Sequence, residues 1–380
     1  LEILLNDFKG IPAADSGGTY AGAPAELADD LSWAGFHMVA RANNHSLDYS
    51  YEGMRTTTET LNKKGIAHAG VGETLAEARS PAYLEAPFGR VALLSASSTF
   101  APWGRAGNPR PDFQGRPGLS PLRYTTKYHL AKTDFDSIRL IEKSLGLDKI
   151  KEKYRSMGWG GFENPGELSL AGLRFIESEN PGVHTYPNIA DVNDITKWIK
   201  DARRQADWVF FTLHAHESYL DREIPAEFIV DFAKQCIDAG ADMFIGHGPH
   251  LLRGIETYKD KPIFYSLGNF IFQNDLVRKH PQDIYNRYGL PFEATPADIY
   301  DTRSRNDSIG FPSDPVYWES VIAICEYNEN TLSEIRLVPI CLGHGKPRPQ
   351  RGRPFVAKGK KAAKILKDVQ RLSHRFGTKL

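Results

Sequence analysis

Histidine and asparagine gather in three short segments of the 380-residue chain: Ala42-Asn43-Asn44-His45, His214-Ala215-His216-Glu217 and Gly246-His247-Gly248-Pro249-His250. Neutral imidazoles suit Zn, Fe, Mn or Ni, and an amide or carboxylate oxygen adds a harder ligand. Two cations about 3.5–4 Å apart would clamp the attacking and leaving oxygens of an in-line displacement. A carboxylate to bridge them is the part these three segments do not supply. The same residue types serve acid–base chemistry without a metal. One histidine alone would read as structural, but three such segments at predicted strand ends read together as a site. His37, His68, His129, His184, His280, His344 and His374 lack that context and read as structural or surface residues.

Strands must deliver these segments. Phe36–Arg41, Trp208–Leu213 and Asp242–Ile245 are short apolar runs, and each ends directly before one segment. In open α/β sheets ligands gather outside the carboxyl ends of the strands. Helical patterns alternate with them over Ala23–Ala34, Glu52–Lys64, Asp194–Gln205 and Pro225–Ala239, the last with Pro at its start and Gly240 beyond its end. Arg90–Ala96 is a further strand. Ile255–Tyr258 with Pro262–Leu267, and Val321–Tyr327 with Leu332–Ile340, predict two hairpins, the second turning at Asn328-Glu329-Asn330. Layered α/β architecture follows, with a partly antiparallel late half. Thr99–Thr126 reads as a long ordered loop and Gln273–Pro315 as a turn-rich surface insertion. The opening Leu1-Glu2-Ile3-Leu4-Leu5 reads like the middle of a strand, so upstream sequence is expected.

Composition removes several classes. The 47 basic and 47 acidic residues give a net charge of zero, which offers no whole-chain argument for nucleic acid. Three cysteines without a C-x-x-C spacing do not support a thiolate zinc site. No apolar run approaches the ~18 residues of a membrane helix. Residues 346–379 hold twelve Lys or Arg against the single acid Asp368, and read as a solvated basic helix or a polyanion contact.

Ala42-Asn43-Asn44-His45-Ser46-Leu47-Asp48-Tyr49, then Gly53 and Gly70-Val71-Gly72, resemble the CapA family of bacterial capsule (poly-γ-glutamate) synthesis proteins. Gly240-Ala241-Asp242 through His247 and His250 to Ser266-Leu267-Gly268-Asn269-Phe270 is similar to that family's most recognisable stretch. The likeness covers residues 1–99 and 205–273, and more weakly 317–342. Through the family it implies the calcineurin-like metallophosphoesterase fold, a four-layer α/β/β/α sandwich. It further implies one domain over 1–345, with insertions near 99–190 and 273–316, and a basic tail at 346–380.

The resemblance also implies roles. Asn44, His214, His247 and His250 would ligate one or two divalent ions (Mn, Fe or Zn). His45 would be the general acid, with His250 and Glu217 also catalytic and His216 facing substrate. The family's Asp-x-His and Gly-Asp segments, which carry the bridging Asp, would lie upstream, Leu1-Glu2 matching the end of its Asn-Leu-Glu motif.

Arg105, Arg110, Arg116 and Arg123 recur among Gly and Pro, and guanidinium forks grip carboxylates and phosphates. Arg105, Arg110 and, beside His250, Arg253 are therefore candidate contacts for an anionic polymer or peptide, with Trp103 stacking or anchoring the loop. The function expected is a capsule-synthesis factor with a hydrolase-like metal site, working with membrane-associated capsule machinery and without specific nucleic acid. The alternatives are a metal-independent acid–base enzyme, such as a peptide Cα epimerase, and a non-catalytic polyanion-binding protein.

Overall fold

The computed structural model describes residues 1–159, 164–328 and 331–379. It is a mixed α/β protein whose chain divides into two compact units. The larger comprises residues 1–122, 189–225 and 229–380, and the smaller comprises 123–188 and 226–228.

A six-stranded sheet centres the larger unit. Its strands are β1 (Ala82–Ala86), β2 (Gly89–Ser97), β3 (Trp208–His214), β4 (Met243–His247), β5 (Ile255–Tyr258) and β6 (Lys261–Phe264), in the order β5-β6-β4-β3-β2-β1. The four central strands are parallel and both edge pairs are antiparallel. Near-continuous apolar runs such as Val209–Leu213 fit strands covered on both faces. Phe211 stacks on Phe244, and Phe232 meets both edge-on. Fully buried phenylalanines here contribute about 1.5–3 kcal/mol each relative to exposure.

The register levels the strand ends. Ser97 pairs with His214, and His214 pairs with His247. Three neighbouring parallel strands thus stop on one rung. Gly246 lets the sheet close there, since a Cβ on it would strike the Tyr265 carbonyl.

The first 70 residues form short parallel pairs, Leu4–Leu5 with Gly22–Ala23 and Met38–Ala40 with Ala67–Ala69. Leu5, Ala23, Ala28, Val39, Leu61 and Ile66 pack together there, under helix α1 (Ser50–Lys63). The helix expected from Ala23 begins only at Leu27. Ala23 precedes Pro24, which keeps it extended, and it pairs with Leu5 instead. Helix α2 (Ile189–Arg203) starts five residues before the expected Asp194, and α3 spans Glu227–Asp238.

The late hairpin forms from β7 (Glu319–Asn328) and β8 (Thr331–Cys341), in antiparallel register from Glu319↔Cys341 to Asn328↔Thr331. Glu329 and Asn330 of its expected turn lie outside the described residues. The stretch 273–315 contains two helices, Gln282–Arg287 and α4 (Pro296–Ser304). Thr295 and Asp298 form a capping box at the start of α4.

The basic C-terminal segment folds into α5 (Gly359–His374). The expectation of a solvated helix is corrected on one face. Ile365, Val369 and Leu372 join the cluster of Met243, Ile255, Phe264 and Val321. Spacings of four and three residues place all three on one stripe.

Within the smaller unit, Glu167–Leu170, Leu173–Glu177, Tyr124–Leu130 and Gly182–Pro187 form a four-stranded sheet in that order. Helices Lys132–Ser144 and Leu147–Ser156 accompany it, and Tyr124 stacks on Phe228. Thr99–Thr126, expected as loop throughout, includes strand Gly118–Leu119 and the first residues of Tyr124–Leu130.

Candidate functional site

The rung that ends β2, β3 and β4 carries the site. His214 is fully buried. Its Nδ1 lies 3.1 Å from His247 Nδ1, and its Nε2 lies 3.0 Å from His216 Nε2. A neutral imidazole donates through one nitrogen and accepts through the other, so His214 links two neutral neighbours in a relay. Burial, reinforced by the adjacent rings, holds His214 well below the usual histidine range. Burial first, then neighbouring positive charge (His250, His45 and Arg253 for His216; the Leu1 ammonium, His216 and His250 for His247), brings both His216 and His247 to about 3. All three are uncharged at neutral pH, the state in which a ring nitrogen can ligate a metal. Gly248 lies between the segments at φ +118°, and a Cβ there would sit 2.9 Å from His216 Cδ2.

His250 adopts a left-handed backbone, φ 62°, uncommon outside glycine. Asn269 holds it there. Its Nδ2 donates to the carbonyls of His250 (3.1 Å) and Tyr317 (3.0 Å). Its Oδ1 is therefore the acceptor facing His250 Nδ1 at 2.9 Å. His250 must donate from Nδ1, which leaves the Nε2 lone pair free.

That lone pair faces Glu2. Glu2 Oε1 stands 3.6 Å from His250 Nε2 and 3.8 Å from His214 Nε2. Ligand atoms of Glu2, His216 and His250 all lie within 4.8 Å of one another. Glu2 Oε1, Asn44 Oδ1 and His247 Nε2 are buried without hydrogen-bond partners. Orphaned buried polar atoms carry a desolvation cost of about 1–3 kcal/mol each, which a cation taking their lone pairs would offset. Carboxylate, amide oxygen and neutral imidazoles are also the donor types a divalent transition metal takes. The residues present fit such an ion.

Asn43 builds the turn that carries His45. Its Nδ2 donates to the carbonyls of Leu1 and Arg41, and its Oδ1 accepts from the His45 N–H at 2.9 Å. His45 Nδ1 lies 2.7 Å from Asp48 Oδ2, which also accepts the Ala21 N–H. Burial draws His45 down, but the Asp48 and Glu2 carboxylates outweigh it and raise it above the ordinary value, with Arg303 opposing. His45 is thus a ring poised to carry a proton, and its charge is felt at His214 and His216.

The remaining sequence candidates occupy other places. Glu217 turns its carboxylate to Ser98 Oγ (2.7 Å) and Thr99 Oγ1 (3.0 Å), and Thr99 Oγ1 accepts the His216 N–H. Glu217 thereby ties the His216 segment to the end of β2. Arg253 is buried and donates to the carbonyls of Arg222 and His216. Burial lowers it to about 10, against the pull of Glu217. Arg105 donates to the Pro102 carbonyl, and Arg110 pairs with Asp112 in solvent. Sequence reasoning assigned no role to Glu2, Asp48 or Asn269. Asp48, three residues after His45, and Asn269, inside the Ser-Leu-Gly-Asn segment, carried a signal; Glu2 carried none beyond its motif.

Comparison with known proteins gives the family. The family model described as bacterial capsule synthesis protein PGA_cap matches residues 9–274. The uncharacterized protein y4sH of Sinorhizobium fredii is 40% identical over all of this chain and 82% of its own length. The capsule biosynthesis protein CapA of Bacillus anthracis is 26% identical over 73% of this chain and 49% of its own length. The PGA biosynthesis protein CapA of Bacillus subtilis is 33% identical over 42% of each chain. With most of its length matched, and its site-bearing strand ends inside the match, the chain belongs to the PGA_cap family of bacterial capsule synthesis proteins.

Proposed function

We propose that the chain is a capsule or poly-γ-glutamate synthesis factor with a metal-dependent, phosphoesterase-like hydrolytic site acting on an anionic polymer or peptide. The observation that carries this reading is the convergence of Glu2, His216 and His250, beside unpartnered oxygens and nitrogens on Glu2, Asn44 and His247. Glu2, His214, His216, His247, His250 and Asn44 are the residues that would hold one or two divalent ions such as Mn, Fe or Zn. Such an ion, when bound, supplies Lewis acidity and an activated water. His45 holds a proton against Asp48 and would deliver it to the leaving group. Asn269 fixes the His250 ring, and Glu217 and Arg253 position the His216 segment. The calcineurin-like four-layer sandwich is part of the proposal. The central parallel sheet and the separate β7–β8 hairpin support it.

Metal content measured on the purified chain tests the reading. Stoichiometric Mn, Fe or Zn is expected, and His216→Ala with His250→Ala should remove most of it. Hydrolysis of bis-p-nitrophenyl phosphate should fall in parallel. A chain that retains no divalent metal after exposure to each of the three would sink the proposal.

A further inference from the structure

A cavity of about 310 Å³ lies beside the histidine cluster, lined by Tyr300, Arg303, Phe311, Tyr317 and Arg348 among others. Its lining residues run from Asn274 to Arg348, so all but the first lie beyond the stretch matched to the family. The cavity shares walls with the site. The Phe311 ring lies 5.2 Å from the His250 ring, and the Tyr317 carbonyl accepts from Asn269. Arg303 acts electrostatically on His45.

The charges in this cavity are unevenly matched. Asp275 and Asp307 both bind Arg351, and Arg348 donates to Asp301 at 2.7 Å. Arg303 has no carboxylate partner among the described ion pairs. It donates to Thr19 Oγ1 at 2.6 Å and lies 5.8 Å over the Phe311 ring. An arginine fork held on an aromatic face beside a cavity is built to receive an oxyanion. Arg348 and Arg351 are already matched by Asp275, Asp301 and Asp307, so Arg303 brings a single guanidinium to a ligand, and a singly charged carboxylate matches it better than a phosphate dianion.

We propose that this cavity is the subsite for a carboxylate-bearing segment of the substrate, with Arg303 gripping the carboxylate and Phe311 and Tyr317 packing on the adjoining chain. The proposal rests on the reading above for where the reacting atoms lie. It assigns substrate selection to a segment that the family match does not include.

Calorimetric titration of the full chain with a γ-glutamyl tetramer tests it. Arg303→Gln should weaken binding roughly tenfold or more, the loss of a charge-assisted hydrogen bond. Arg303→Lys should recover part of that loss. A tetramer with amidated carboxyls should bind wild type no better than the free acid binds Arg303→Gln. Should Arg303→Gln melt far below wild type, Thr19→Val, which frees the guanidinium from its tether, should still weaken the tetramer severalfold. Equal tetramer affinity in wild type and Arg303→Gln would overturn the proposal. So would equal binding of the amidated tetramer, displacement by inorganic phosphate at lower concentration than by acetate, or no binding to wild type at millimolar tetramer. Metal content, read on the same samples, separates the two ideas. Tetramer binding that depends on Arg303 in a chain unable to hold metal would sink the hydrolytic reading and keep this subsite.

Discussion

Asn269 spends one amide on three partners, the His250 ring and the carbonyls of His250 and Tyr317. Its orientation dictates which His250 nitrogen is free, so a residue with no expected role sets the chemistry of one that had several. Asn269→Leu should reduce divalent-metal affinity 10–100-fold, the usual effect of losing a ligand's orienting partner. It should also cost about 1–3 kcal/mol through two stranded carbonyls. Competition with a chelating dye reads the first and urea unfolding the second. Unchanged metal affinity would remove His250 from the ligand set. Glu2 shows why sequence stops short at this scale. Its partners His214 and His250 are more than two hundred positions away, and neither spacing nor residue type announces such a meeting.

Apolar strands and the segments after them were readable because a buried parallel strand is a short run that ends abruptly, as Trp208–His214 does. The sheet of the smaller unit was not readable. Strands such as Leu173–Glu177 are only half covered and lack a clean apolar run. The C-terminal helix was misread for a related reason. Five Lys or Arg dominate its composition, while three apolar residues decide where it docks. Electrostatics reinforces that docking, because Glu319 is buried and its carboxylate meets both Lys361 and Lys364. Replacing both lysines with alanine should strand a buried charge and destabilise the chain by about 3 kcal/mol. Glu319→Gln in that background should restore much of the loss. Thermal unfolding of these two variants and of Glu319→Gln alone checks this, and an additive outcome would show that the charges are uncoupled.

Over the whole molecule, buried histidines govern the response to acid. Burial, helped by Arg41, lowers His68 to about 4, and burial with Arg303 does the same for His280. Both are depressed below the unfolded value near 6.5. The unfolded chain therefore takes up protons that the folded chain refuses, and stability falls as pH drops from about 6.5 toward 4. In the metal-free protein His216 and His247 extend the decline to about 3. His45, raised by Asp48, acts oppositely: its contribution is present at low pH and fades as pH rises through its folded value. Urea midpoints between pH 7 and 4 should decline, and His68→Gln should shallow the slope. A flat profile across that window would contradict the assignment.

The shared rung of Ser97, His214 and His247 has a bearing on how this chain can change length. Alternate side chains of a strand point to opposite faces, so dropping one residue ahead of His247 would swing its ring out of the cluster. Insertions and deletions are thereby barred from the strand interiors and free only in the stretches between them. The 123–188 unit is such a stretch, and there this chain can be lengthened or exchanged without disturbing its chemistry; the 273–315 segment is less free, because its Phe311 ring lies against His250 and its Arg303 lines the neighbouring cavity.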